Sequence, residues 1–149
     1  MRISYDAFIG AFLAKITEFD FADMDDSQRT SIADGYMKRA VVQFQSNCLY
    51  NLAGNADDQN RVYQVDIPDA EVNEITEIVS EGMLVQWLKP YVYRQENLEN
   101  VLNTRDFTTY SPAELLYRVG NAYAKAQSDY TQMIREYSFV HGNLKGLHL

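Results

Sequence analysis

Apolar residues recur at steps of three and four through most of the chain, the signature of helices with one buried face. From Ser4 to Phe19 they are Tyr5, Phe8, Ile9, Phe12, Leu13 and Ile16, and Ser4 stands where an N-cap belongs. An acidic turn, Asp20 to Asp26, follows. A second helix is predicted to start near Asp26 or Ser27, with the stripe Ile32, Tyr36, Ala40 and Phe44 flanked by Met37, Val41 and Cys48. Gly35 interrupts it. A glycine inside a helix costs roughly 1 kcal/mol relative to alanine, and close approach of another helix would account for it.

The period is lost between Asn47 and Pro68. Asn51 to Asn60 is a loop by composition. Arg61 to Ile67 alternates, with Val62, Tyr63, Val65 and Ile67, and reads as a short strand or an extended arm. A lone strand leaves its backbone groups unsatisfied, so it needs a partner in this chain or another. Helix three is predicted from Pro68, with Val72, Ile75, Val79, Met83, Leu84, Trp87 and Leu88 inward and Pro90 ending or kinking it. A further helical piece runs on to Asn103. Thr104 to Tyr110 fits no clean period, and it holds Arg105, Asp106, Phe107 and Tyr110, more chemistry than a connector needs.

The last helix has the clearest start. Ser111, Pro112 and Glu114 form a capping box with proline at the first helical position. Leu116, Val119, Tyr123, Ala126, Tyr130, Met133, Tyr137 and Val140 then follow at helical steps to a stop at Gly142. Such a rod of about thirty residues is about 45 Å long. The predicted class is all-α: a small helical bundle with a long C-terminal helix, whose one β candidate is a short strand or hairpin in the 51–67 region. Residues 1–142 read as a single domain and 143–149 as an arm carrying Leu144, Leu147 and Leu149.

Composition narrows the function. The net charge of −8 argues against a protein that wraps DNA or lies on an anionic membrane, both of which call for a basic face. No run approaches the roughly 20 apolar residues of a membrane span, and the N-terminus lacks the pattern of a secretory leader, so the chain reads as made in a cytoplasm. Cys48 is the only cysteine and reads as a small buried hydrophobe. The eleven tyrosines suit positions with one dry and one wet end, at core edges or interfaces.

Catalytic and metal-binding patterns are missing from the sequence: it has no HExxH, no GxGxxG, no P-loop and no GxSxG. His141 falls at a helix C-terminus, where the helix dipole favours it, and the other histidine, His148, lies in the tail. The Asp20–Asp26 cluster does not match a calcium loop. Glu71, Glu74, Glu77 and Glu81 line one side of helix three and read as a solvated face. The expectation is therefore no enzyme, no cofactor and no metal. The surplus is in contact chemistry, which suits a subunit of an assembly.

The run GMLVQWLKPYVYRQENLENVLNTRDFTTYSPAELLYRV, together with the long final helix and its exit REYSFVHGNL, resembles the small head–tail adaptor (connector) proteins of tailed bacteriophages. The likeness is strongest from Ile75 to Leu149 and weak before it. It implies a virion neck component, assembled in the host cytoplasm, that forms a ring of about twelve copies. Such a ring sits between the portal and the next neck or tail protein (a stopper or tail terminator) and extends the DNA channel without reading sequence. By the same resemblance, Leu144, Leu147 and Leu149 would anchor the arm in the portal.

Inter-subunit contacts are then expected from Arg105, Asp106, Phe107 and Tyr110, and from Tyr63 and Val65 on an unpaired strand edge. Glu71, Glu74, Glu77 and Glu81 are candidates for an acidic bore that would repel DNA. The residues alone also accommodate a cytosolic helical protein-interaction adaptor or regulator with no phage role.

Overall fold

The computed structural model describes residues 2–17, 26–93 and 112–141, without the side chains of 26–30, 91, 93 and 112–116. Ser4 turns a strand into a helix. It ends β1 (Ile3–Ser4), and its Oγ accepts the Asp6 N–H at 3.0 Å, capping α1 (Tyr5–Ile16). At the other end the Thr17 hydroxyl donates to the Ala14 carbonyl at 2.7 Å. The helix therefore stops short of the predicted Phe19.

The second helix, α2 (Asp26–Gln45), buries most of the predicted stripe, turned slightly at its start. Ala33, Met37, Ala40 and Phe44 are inside, whereas Ile32 is 38% exposed and Tyr36 only half-buried. Two overlapping apolar stripes exist in this sequence, and the one with two alanines lets the neighbouring backbone come closer.

The alternating segment finds its partners within the chain. β3 (Val62–Tyr63) is the centre of a three-stranded antiparallel sheet, between β1 and β2 (Ala56–Asp57). Tyr63 sits opposite both Ile3 and Ala56, and Val62 opposite Ser4 and Asp57.

α3 (Asp69–Tyr93) is the central helix and packs on α1, on α2 and on α4 (Pro112–Val140). It runs through Pro90, where the sequence had suggested an end or a kink. From Ile78 to Leu88 nearly every position is buried, Ser80 and Glu81 included, because neighbours surround it. α4 lies antiparallel to it: Glu71 meets His141, and Gly82 meets Tyr130.

Aromatic rings join these layers. Tyr63 packs against Tyr5 at 5.0 Å and Phe8 at 5.7 Å. Phe12 meets Tyr36 and Trp87 edge-on, and Phe44 meets Tyr137.

The close helix approach expected at Gly35 occurs at Gly82. A Cβ there would lie 2.8 Å from the Tyr130 ring and 2.9 Å from the Ala40 Cβ, while one at Gly35 meets nothing within 4 Å. The Tyr130 ring cannot easily yield, since its hydroxyl donates to the Ala40 carbonyl at 3.1 Å. Burial also pushes that phenol up to about 12. Two alanine substitutions should thus act in opposite directions. Gly82→Ala is expected to destabilise by about 1–3 kcal/mol through overpacking, and Gly35→Ala to stabilise by up to about 1 kcal/mol through helix propensity. Urea denaturation of both variants would check the two signs.

Candidate functional site

The end of α4 is held by a polar cluster that joins α3, α4 and the loop after α2. His141 is one residue past the last helical residue, and its N–H donates to the Tyr137 carbonyl at 3.0 Å. Its Nδ1 lies 2.7 Å from Glu71 Oε1 and its Nε2 lies 2.9 Å from Glu74 Oε2. The sequence assigned His141 only to the helix dipole. The glutamates were out of reach of any local pattern, because they stand 67 residues away in the case of Glu74.

Around this clamp the loop after α2 is fastened from two sides. The Tyr50 hydroxyl donates to the other oxygen of Glu71, and that bond pushes the phenol up to about 12. The Gln45 amide holds the loop by donating to the Tyr50 carbonyl at 2.7 Å and accepting the Ala53 N–H at 2.9 Å. The Tyr137 ring stacks 4.4 Å from the His141 ring, and its hydroxyl accepts the Leu49 N–H at 3.4 Å. Cys48 is half-buried, 3.9 Å from the same hydroxyl, and burial pushes its thiol up. The sequence had it as a small buried hydrophobe; it stands instead at the edge of the core, only half-buried.

The remaining glutamates of α3, Glu77 and Glu81, meet α1. Lys15 Nζ lies 3.0 Å from Glu77 and 3.1 Å from Glu81. All four glutamates thus have partners in their own chain. Glu71 and Glu81 are shielded as well, so the four do not form the wholly solvated face that their spacing suggested. Beside Glu81 runs an open groove of about 460 Å³, floored by Leu84, Ala126 and Met133. The Lys125–Asp129 pair, 3.0 Å apart, stands on its other rim. Both acids of this groove are neutralised by a lysine.

The β2–β3 hairpin is fastened to the bundle by its own side chains. Arg61 adopts φ of 56°, in the left-handed region that costs a non-glycine residue about 1–2 kcal/mol. It is held there by its own contacts. Its guanidinium forks onto Asp34 at 2.6 and 3.0 Å and lies 5.5 Å over the Tyr5 ring, and its carbonyl accepts the Tyr5 N–H at 2.9 Å. Asp57 accepts from the backbone of Gln59 and Asn60 and from the side chains of Asn60 and Gln64, which holds its carboxyl down at about 2. Tyr63, expected as a contact on an open edge, is buried in the core and paired on both sides. Val65 is half-buried against the same core.

Exposed large apolar side chains among the described residues include Tyr117, Phe139 and Val140 on α4. Phe139 is 75% exposed and Val140 69%, immediately before the arginine-free stretch that carries the terminal leucines. Val140 had been placed on the buried stripe. Tyr137 and His141, one turn apart, take the face turned to α3, and Val140 points away from it. Arg105, Asp106, Phe107, Tyr110, Leu144, Leu147 and Leu149 lie outside the described residues. Among the described residues no group of His, Cys, Asp or Glu could hold a metal ion, and no helix is long and apolar enough to cross a membrane. Comparison with protein-family models, with curated proteins and with solved structures finds no match to this chain.

Proposed function

We propose that this protein is a structural head–tail adaptor. Copies of it form a ring between a phage portal and the next neck or tail protein and extend the DNA channel. Three things support the reading: the resemblance from Ile75 to Leu149, the acidic charge, and a helical bundle whose last helix carries apolar side chains beyond its own core. The observation that carries it is the exposed pair Phe139 and Val140 at the root of the leucine-bearing arm. Each such side chain gains about 1.5–3 kcal/mol when fully buried, and a closed ring repeats that gain at every interface.

The test mixes the protein with a portal ring and images the product, beside the variant Phe139→Ser/Val140→Ser. The expected result is a ring stacked on the portal for the parent and none for the variant, with both proteins melting at the same temperature. A parent that stays a monomer or dimer and ignores the portal overturns the reading and favours a cytosolic protein-interaction adaptor.

A further inference from the structure

We propose that the Glu71–His141–Glu74 clamp is a proton-sensitive anchor that fastens the C-terminal end of α4 to α3. The inference does not rest on the adaptor reading. Its physical basis is the geometry of the free chain.

Both ring nitrogens of His141 face carboxylate oxygens, at 2.7 and 2.9 Å, and its side chain is 16% exposed. A carboxylate only accepts hydrogen bonds. An imidazolium donates from both nitrogens, whereas a neutral ring carries one proton and turns a lone pair on the second acceptor. The two-sided arrangement is therefore satisfied only by the charged ring. The clamp is complete when the ring carries both protons and loses one bond when it gives one up.

The surroundings decide which bond is lost. α3 presents Glu71 and Glu74, the loop after α2 presents Tyr50 and Cys48, and α4 presents Tyr137. Glu71 is fixed by the Tyr50 hydroxyl and is well shielded, so it keeps its place. Glu74 is more exposed and can exchange the ring for water. Losing the proton thus frees the Glu74 side and lets the last turn of α4 fray, and the arm begins directly beyond that turn. A charged clamp holds the end of α4 on α3 at both glutamates, while a neutral one holds it only at Glu71.

The experiment uses the full chain with His148→Gln, so that one histidine remains. Ring protons of His141 and backbone amide exchange from Tyr137 to His141 are followed by NMR from about pH 5.5 to 8, with intrinsic exchange corrected. Opening of the helix end is expected to rise about tenfold across the range and to track the ring's titration. Adding His141→Gln should abolish the pH dependence and leave the end open throughout. Adding Glu74→Gln should flatten it without loss of fold, because a glutamine amide can accept from a ring N–H or donate to a ring lone pair. The proposal fails if the pH profile is the same with and without His141, if it does not follow the ring, or if Glu74→Gln keeps the full response. All readouts are made on the free protein, so a failure to form rings would count against the adaptor reading and leave this one standing.

Discussion

Tyr137→Ala is expected to destabilise the protein by about 3–5 kcal/mol, the range for removing a buried aromatic side chain. The ring is fully buried and joins three parts of the chain. It packs edge-on against Phe44 of α2 at 5.0 Å, it stacks on His141 at 4.4 Å, and its hydroxyl receives the Leu49 N–H of the loop. No neighbour can fill the vacated space without moving the end of α2 or the loop. The measurement is a urea denaturation curve, with an unchanged slope taken as evidence that the unfolded state is the same. Tyr137→Phe separates ring from hydroxyl and should cost only about 1 kcal/mol, the worth of one ordinary hydrogen bond. The alanine variant should also let a thiol reagent reach Cys48 faster, because Tyr137 covers part of it. A cost below about 1 kcal/mol for the alanine variant would mean that the ring does not fasten this junction.

The second large effect is expected from Lys15→Met. Methionine keeps the apolar stem and removes the charge. Glu81, whose side chain is 8% exposed, is then left without its cation against Leu84 and Met133. Breaking a buried pair from one side costs about 3–5 kcal/mol. Lys15 is itself 22% exposed, so solvent screening lowers the expectation to about 2–3 kcal/mol. Replacing both partners, Lys15→Met with Glu81→Leu, should recover most of the loss, since an apolar pair of similar volume has no charge to strand. Thermal melts of the two single variants and the double variant give the coupling energy; additive losses would show that the pair is not coupled.

The direction with pH follows from the lysine. Burial pulls its pKa down, but the hydrogen bonds to Glu77 and Glu81 outweigh this and leave it raised. A raised lysine contributes stability that is present below its unfolded pKa and lost as pH rises through the folded value. The pair therefore holds through neutral pH and weakens only in strong alkali.

How much was legible in the sequence differed by kind of feature. The caps and periods placed α1, α2 and α4 close to where they stand, because a cap and a stripe are written within a few residues of each other. Gly35 and Gly82 look alike by that local rule, and the rule favoured the wrong one. What separates them is the presence of Ala40 and Tyr130 opposite Gly82, which is a property of the packed helices. Pro90 shows the same limit: a lone proline predicts an end or a kink, and α3 does not end there but continues to Tyr93. The alternation from Arg61 to Ile67 identified a strand without saying which edges it would pair, and both partners turned out to be local to this chain.

The candidate site was less legible still. The glutamates of α3 were visible as a row, yet a row of acids on a helix is most often a wet face. His141 and Lys15 reach them from opposite ends of the chain and divide them into two pairs, one at the end of α4 and one at the end of α1. By itself the amino-acid order determined which segments are helical, where most of them begin and which residues are apolar, since those depend on backbone preferences and spacing within a turn or two. Only the tertiary structure decided which acids are shielded, which glycine is needed and which apolar side chains remain outside the core. Each of those depends on atoms brought together from distant parts of the chain, and burial is defined by what lies opposite.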